Sequence, residues 1–188
     1  MGHLSMIEIR IHGRGGQGAV VASEILARAA IKDGLNASAF PFFGVERKGS
    51  PVMAFCRIDD RPIRLHAGVY EPDHVIVLDQ ALLSLTNVLS GLKEGGTVLI
   101  NTSQGPSELG LHTDHSIVLV DATSIALERG LGSPTAPIVN TAILGAFAHQ
   151  CSMVSIEAIV DSIREVVPAK LEENVQAAWD AYGYEREI

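Results

Sequence analysis

The stretch Ile7-Glu8-Ile9-Arg10-Ile11-His12-Gly13-Arg14-Gly15-Gly16-Gln17-Gly18-Ala19-Val20-Val21 constrains the fold more than any other. Ile7, Ile9 and Ile11 alternate with polar residues, which is strand periodicity. Four glycines follow, and then a helical pattern begins with an apolar stripe at Val21, Ile25 and Ala29. Glycine has no Cβ, so the chain can turn sharply there and a partner can approach the main chain. The helix that follows directs free N–H groups and the positive end of its dipole toward the loop. The local product is a strand–loop–helix corner suited to an anion or to a closely docked neighbour.

Gly13, Gly15 and Gly18 have the G-x-G-x-x-G spacing of dinucleotide folds. A bound dinucleotide also needs an acidic residue about 20 positions on, at the end of the second strand. That region reads Ala39-Phe40-Pro41-Phe42-Phe43-Gly44, with no acid before Glu46. The corner therefore keeps three readings: a nicotinamide or flavin site, a structural or interface corner, or a site for another anion such as a phosphate-bearing coenzyme.

With 188 residues, 47% hydrophobic and 19% charged, the chain can bury a substantial core. Residues 1–5 look like a leader left from expression, and residues 6–188 are expected to form one domain. A formal net charge of −8 argues against a nucleic-acid binder, which needs a basic stripe. No basic-then-apolar leader and no span-length apolar run is evident, so neither membrane insertion nor export is expected. Cys56 and Cys151 are far apart in sequence, with no C-x-x-C, so the chain cannot by itself hold a four-thiolate cluster. Reduced, packed thiols and a cytoplasmic location are expected.

Along the chain, Asn36 to Phe42 reads as a second strand with Pro41 near its end. Phe43 to Pro51 is a loop in which Glu46, Arg47 and Lys48 sit beside aromatic residues, a candidate docking or ligand loop. Val52 to Ile58 alternates, and Asp59-Asp60 before Arg61-Pro62-Ile63-Arg64 predicts a hairpin. Buried-type strands are expected at Val75–Asp79, Thr97–Asn101 and Ile117–Val120, with a helix over Ala81–Leu92. Asp121 caps a helix to about Arg129, Gly130–Pro137 is a Gly/Pro linker, and three helices close the chain at 138–150, 155–167 and 169–182. The expected fold is α/β: a Rossmann-like three-layer sandwich with a mixed, mostly parallel sheet, an inserted β-hairpin and a C-terminal helical segment.

No nucleophile–base signature appears. Asp79 and Asp121, at strand ends, are placed to face a ligand crevice or to serve as turn and cap residues. His112-Thr113-Asp114-His115 carries metal-ligand residue types, but on a loop with no third anchored ligand a solvated turn is favoured.

Gly13-Arg14-Gly15-Gly16-Gln17-Gly18, then Phe43-Gly44-Val45-Glu46-Arg47-Lys48-Gly49, then Asn140-x-x-x-Leu144-Gly145-Ala146, with Lys170, Glu173 and Asn174 near the end, occur in that order. Together they resemble the gamma subunit of 2-oxoacid:ferredoxin oxidoreductases, the pyruvate:ferredoxin oxidoreductase family, over nearly the whole chain. Phe43 stands where the family often has Tyr, and Lys48 where Arg is common. The resemblance implies a non-catalytic subunit of a multi-subunit enzyme, working with alpha, beta and delta-type subunits. That enzyme uses thiamine diphosphate and iron–sulfur clusters held by its partners, decarboxylates a 2-oxoacid with CoA to an acyl-CoA, and reduces ferredoxin. It further implies a CoA or interface role for Gly13, Gly15, Gly16, Gln17 and Gly18, and a docking role for Glu46 and Arg47. No cofactor is expected to be held firmly by this chain. Self-association is expected when the partners are absent. The rivals are a free-standing NAD(P)-binding oxidoreductase and a plain interaction module.

Overall fold

The structure, a computed structural model, describes residues 5–42, 49–65, 67–111 and 113–184. Its centre is a six-stranded sheet in the order β2-β3-β1-β4-β5-β6. The strands are β1 (Ile7–Arg14), β2 (Asn36–Phe42), β3 (Pro51–Asp59), β4 (His74–Val77), β5 (Thr97–Asn101) and β6 (Ser116–Val120). β1, β4, β5 and β6 run parallel, while β3 is antiparallel to both β1 and β2. The expected mixed, mostly parallel α/β sheet is present.

The hairpin partner differs from the expectation. β3 pairs with β2 on one side, Ala39 opposite Cys56, and with β1 on the other, Ile9 opposite Cys56. Both edges of β3 are thus filled, and 61–64 forms no strand. Asp59 Oδ1 accepts from the Arg61 N–H at 2.9 Å, an Asx-type turn that leads the chain off the sheet, and Pro62 has no N–H to give a ladder.

Strand alternation sorts the side chains onto two unlike faces. Ile9, Ile11, Ala54, Cys56, Ile58, Ile76 and Leu99 point into a core shared with helices α1 (Ala19–Lys32), α3 (Ala122–Glu128), α4 (Asn140–Cys151), α5 (Ile156–Val166) and α6 (Leu171–Tyr182). Nine consecutive residues of α4, Asn140 to Ala148, are buried, so this helix lies inside the protein rather than on it. It crosses α6 closely: a Cβ on Gly145 would sit 1.9 Å from the Ala178 carbonyl oxygen.

The opposite face is roofed mostly by coil. Val75, Val77, Val98, Ile100 and Leu119 pack there against Leu82, Val88 and Leu92. Only one helical turn, α2 (Leu82–Leu85), forms where the sequence predicts a helix to Leu92. Gly91 has φ +72 and its backbone lies against the Tyr70 carbonyl, so turns replace the helix there. Gly130–Pro137 is likewise more ordered than a linker. Leu131 is buried, and a short hairpin pairs β7 (Gly132–Ser133) with β8 (Ala136–Pro137).

Two arginines are buried under the coil roof. Arg10 donates to His12 Nε2 at 2.9 Å and to the carbonyls of Val69, Val88 and Ser90 at 3.4, 2.9 and 2.6 Å. Arg57 pairs with Glu8 at 2.8 Å, donates to the carbonyls of Leu65 and Gly68, and lies over the Phe40 ring. Burial, with the Arg10 charge adding to it, pushes the His12 imidazole down to about 3. In the unfolded chain that group takes up a proton near its ordinary 6.5, so stability is full above this value and falls as the pH drops toward 3.

Two measurements check this packing. Gly145→Ala should lower stability by about 3 kcal/mol in denaturant unfolding, because the α4–α6 crossing has no room for a methyl. The acid limb of the stability profile should lose about 2 kcal/mol from His12 between pH 6.5 and 5, and His12→Gln, which keeps an acceptor for Arg10, should flatten that part.

Candidate functional site

β1 delivers the chain to the carboxyl edge of the sheet at Arg14, and Gly15, Gly16, Gln17 and Gly18 carry it back into α1. Gly16 and Gly18 have φ of +98 and +84, conformations that an L side chain resists. The loop is fastened to the start of β3: Gly15 N–H donates to the Ser50 carbonyl at 2.9 Å, and Gly49 N–H donates to the Gly15 carbonyl at 3.2 Å. β4 lies beside β1, while the connection through α1 leads to the other side of the sheet. A crevice opens at such a change of winding direction.

That crevice is a cleft of about 550 Å³. One wall is the loop, through Arg14, Gly15, Gly16 and Gln17. The others are the residues at the ends of the parallel strands: Asp79 and Gln80 after β4, Asn101 to Ser103 at the end of β5, and Asp121, Thr123 and Ser124 after β6. Thr135, Ala136 and Pro137 of the small hairpin close it.

Its polar groups largely hold one another. Asn101 Nδ2 donates to the Leu78 carbonyl and to Thr123 Oγ1, both at 2.9 Å, and Thr123 N–H returns a bond to Asn101 Oδ1. Thr102 Oγ1 donates to Gln80 Oε1. Asp121 caps α3, taking the N–H and hydroxyl of Ser124. Gln17 Oε1 accepts from the Arg14 N–H at 2.8 Å, and its amide donates to Asp79 Oδ2 at 3.1 Å. Arg14 Nε lies 3.1 Å from the same oxygen.

The five glycine-loop positions divide. Gly15, Gly16 and Gln17 line the cleft. Gly13 does not: a Cβ there would press on Leu78 and Ala19, so it lets β1, β4 and α1 close up. Gly18 caps α1 in a left-handed conformation, with Asn140 Nδ2 packed 2.5 Å from where its Cβ would stand. The start of α1 is therefore turned toward α4, and the loop rather than the helix end faces the cleft. Glu46, Arg47 and His112 lie outside the described residues. Asp79 and Asp121 fill both of their expected roles, lining the cleft while fixing a turn and a cap. Gln80, Asn101, Thr102 and Thr123 went unmarked as site residues in the sequence, although Gln80, Asn101 and Thr102 end or follow apolar strand runs much as Asp79 and Asp121 do.

The C-terminal motif residues come together away from the cleft. Thr141 Oγ1 donates to Asn174 Oδ1 at 2.9 Å, Asn174 Nδ2 donates to the Lys170 carbonyl at 2.8 Å, and the Lys170 ammonium reaches the Gly130 carbonyl. They join the starts of α4 and α6 to the small hairpin.

Two cofactor fits can be tested on these residues. Cys56 and Cys151 are free, and burial pushes both thiols up to about 12, so neither is a ready thiolate ligand. For a dinucleotide, β3 separates β2 from β1, which sets the end of β2 about 10 Å, two strand spacings, from the loop strand. An acid at the end of β2 would not reach a ribose beside Gly15.

Residues 8–184 match the sequence model of the family described as pyruvate ferredoxin/flavodoxin oxidoreductase. The chain belongs to that family. Its similarity is to the family's gamma-type chains. It is 54% identical to pyruvate synthase subunit PorC of Methanothermobacter marburgensis, over 94% of this chain and 96% of that one. It is 52% identical to the pyruvate/ketoisovalerate oxidoreductases common subunit gamma of Thermococcus kodakarensis, with the same coverage. The crystal structure of pyruvate oxidoreductase subunit PORC from Thermotoga maritima superposes with a TM-score of 0.80 at 38% identity, covering 94% of this chain and 95% of that one.

The different duties of the two left-handed glycines can be separated by substitution. Gly16→Ala, with open space around it, should cost about 1 kcal/mol from backbone strain alone. Gly18→Ala should cost about 3 kcal/mol, because Asn140 must also move. Thermal unfolding of the two variants compares them directly.

Proposed function

We propose that the chain, over residues 6–188 as one domain, is the non-catalytic gamma subunit of a 2-oxoacid:ferredoxin oxidoreductase that works with alpha, beta and delta-type subunits. The observation that carries this reading is the end-to-end match to proteins named as separate subunits, 94% of this chain against 96% of the PorC relative. The assembled enzyme converts a 2-oxoacid and CoA to an acyl-CoA and carbon dioxide, and the electrons released go to ferredoxin. Thiamine diphosphate and iron–sulfur clusters supply the decarboxylation and electron-transfer chemistry from the partner subunits. The choice of 2-oxoacid rests with those partners too, because a gamma chain common to pyruvate and ketoisovalerate enzymes, as in the Thermococcus relative, cannot select between them. Pyruvate is the substrate we assign, from the names of the PorC relatives.

The cleft is this subunit's contribution at the approach for coenzyme A. Arg14, Gly15, Gly16 and Gln17 would meet its phosphates, and Asn101, Thr102 and Thr123 offer a polar wall for the rest of the molecule. Phe42, Leu65, Tyr70 and Leu85 are exposed apolar side chains on or beside the coil-roofed side. They supply a surface for the partner subunits, with Glu46 and Arg47 as the docking loop between Phe42 and Gly49, and for self-association when the chain is alone. Among the described residues, no helix is long and apolar enough to cross a membrane, and the free thiols fit a reducing, cytoplasmic location.

Co-expression with the neighbouring subunits tests the reading. The chain should co-purify with them and be needed for CoA- and 2-oxoacid-dependent viologen reduction, and should show no such activity alone. Turnover by the isolated chain would overturn it.

A further inference from the structure

Both side-chain donors of the glycine loop converge on one carboxylate oxygen. Gln17 Nε2 and Arg14 Nε each lie 3.1 Å from Asp79 Oδ2. The other oxygen, Oδ1, accepts from the Ala81 N–H at 2.9 Å, which fixes the carboxylate in place. Arg14 Nε is buried and finds no well-aligned hydrogen bond, so its contact with Asp79 is electrostatic.

Part of the loop's main chain is also engaged. Gly15 N–H goes to Ser50 and Gln17 N–H to Arg14, while the start of α1 faces Asn140 rather than the cleft. Among the described residues lining the cleft, Arg14 is the one formal cation, against Asp79 and Asp121. An incoming phosphate would thus find its natural partners already holding a carboxylate.

We propose that Asp79 is a built-in competitor of anionic ligands in this cleft, standing where an anionic ligand group would stand against Arg14 and Gln17. A small free anion displaces it only weakly, because it brings no other contacts to offset the loss of the Arg14–Asp79 pair. A phosphorylated ligand with a polar body can, because hydrogen bonds to the Asn101–Thr123 wall add to what its phosphate gains. The pair thus sets a threshold that keeps free phosphate at low occupancy while a larger phosphorylated molecule, with more contacts, still binds. This inference rests on the reading of the cleft as a coenzyme A site, and it adds the device that holds free anions off the site.

Titration calorimetry on the full chain, with inorganic pyrophosphate and with coenzyme A as separate probes, tests it. Asp79→Asn keeps the shape and an acceptor for Ala81 but removes the charge. Pyrophosphate should bind this variant about tenfold more tightly than the native chain, the effect of removing one partly exposed like charge, and with a steeper salt dependence. Asp79→Ser should shift in the same direction, and a melting curve for each variant shows that it is folded. Equal pyrophosphate affinity in the native and both variant chains would overturn the proposal. The coenzyme A arm judges the cleft separately: binding weakened by Arg14→Gln supports that reading, and no binding to any form removes it, whatever pyrophosphate does.

Discussion

The fold depends on how a sheet face without long helices keeps water out. Coil laid on a sheet brings carbonyl groups with no ladder to pair with, and each needs a donor. Arg10 and Arg57 are those donors. Between them they reach the carbonyls of Leu65, Gly68, Val69, Val88 and Ser90, in two segments far apart along the chain. A guanidinium suits this because its planar fork serves several acceptors at once, which a lysine cannot do in the same geometry. Arg57 is balanced by Glu8 and rests on Phe40. Arg10 carries its charge among carbonyl dipoles, and burial, with that charge adding to it, keeps His12 neutral beside it.

That roof is continuous with the cleft. The segment that begins at Asp79 and Gln80, in the cleft wall, ends at Val88 and Ser90 under Arg10. β1 supplies both ends of the arrangement: its buried arginine holds the roof, and its last residue, Arg14, faces the cleft. Inserting β3 between β1 and β2 completes the departure from a dinucleotide fold. It ties the glycine loop to Ser50 and moves the end of β2 out of reach. The same glycine-rich run therefore serves close packing at Gly13 and Gly18 and lines the cleft at Gly15 and Gly16.

Much of this was legible in local patterns. The apolar runs at Val75, Thr97 and Ile117 gave the parallel strands, and the polar residues ending two of them, Asp79 and Asp121, do line the cleft. What the pattern misplaced depended on distant partners. Ile–Arg–Ile–His alternation is the mark of a half-buried strand, yet Arg10 is buried by carbonyls 59 to 80 residues downstream. The helix expected to Leu92 shares its leucine spacing with the roof that replaces it; the chain turns extended at Thr86, and distant contacts, Arg10 with the Val88 and Ser90 carbonyls and Gly91 against Tyr70, hold it there. The Asp59-Asp60 turn was seen, but a turn does not say whether the edge of the strand before it is free. The family motif at Asn140, Lys170 and Asn174 was visible as sequence, and only the structure divides it from the cleft.

Hydrogen exchange on Arg10→Met, read by segment, tests most directly whether the buried arginine holds the roof and, through it, the cleft wall. Methionine fills the space and removes the donors. The account predicts lost protection in 79–92, while α1 and α4 to α6 keep theirs. Uniform loss across the chain, or unchanged protection in 79–92, would contradict it.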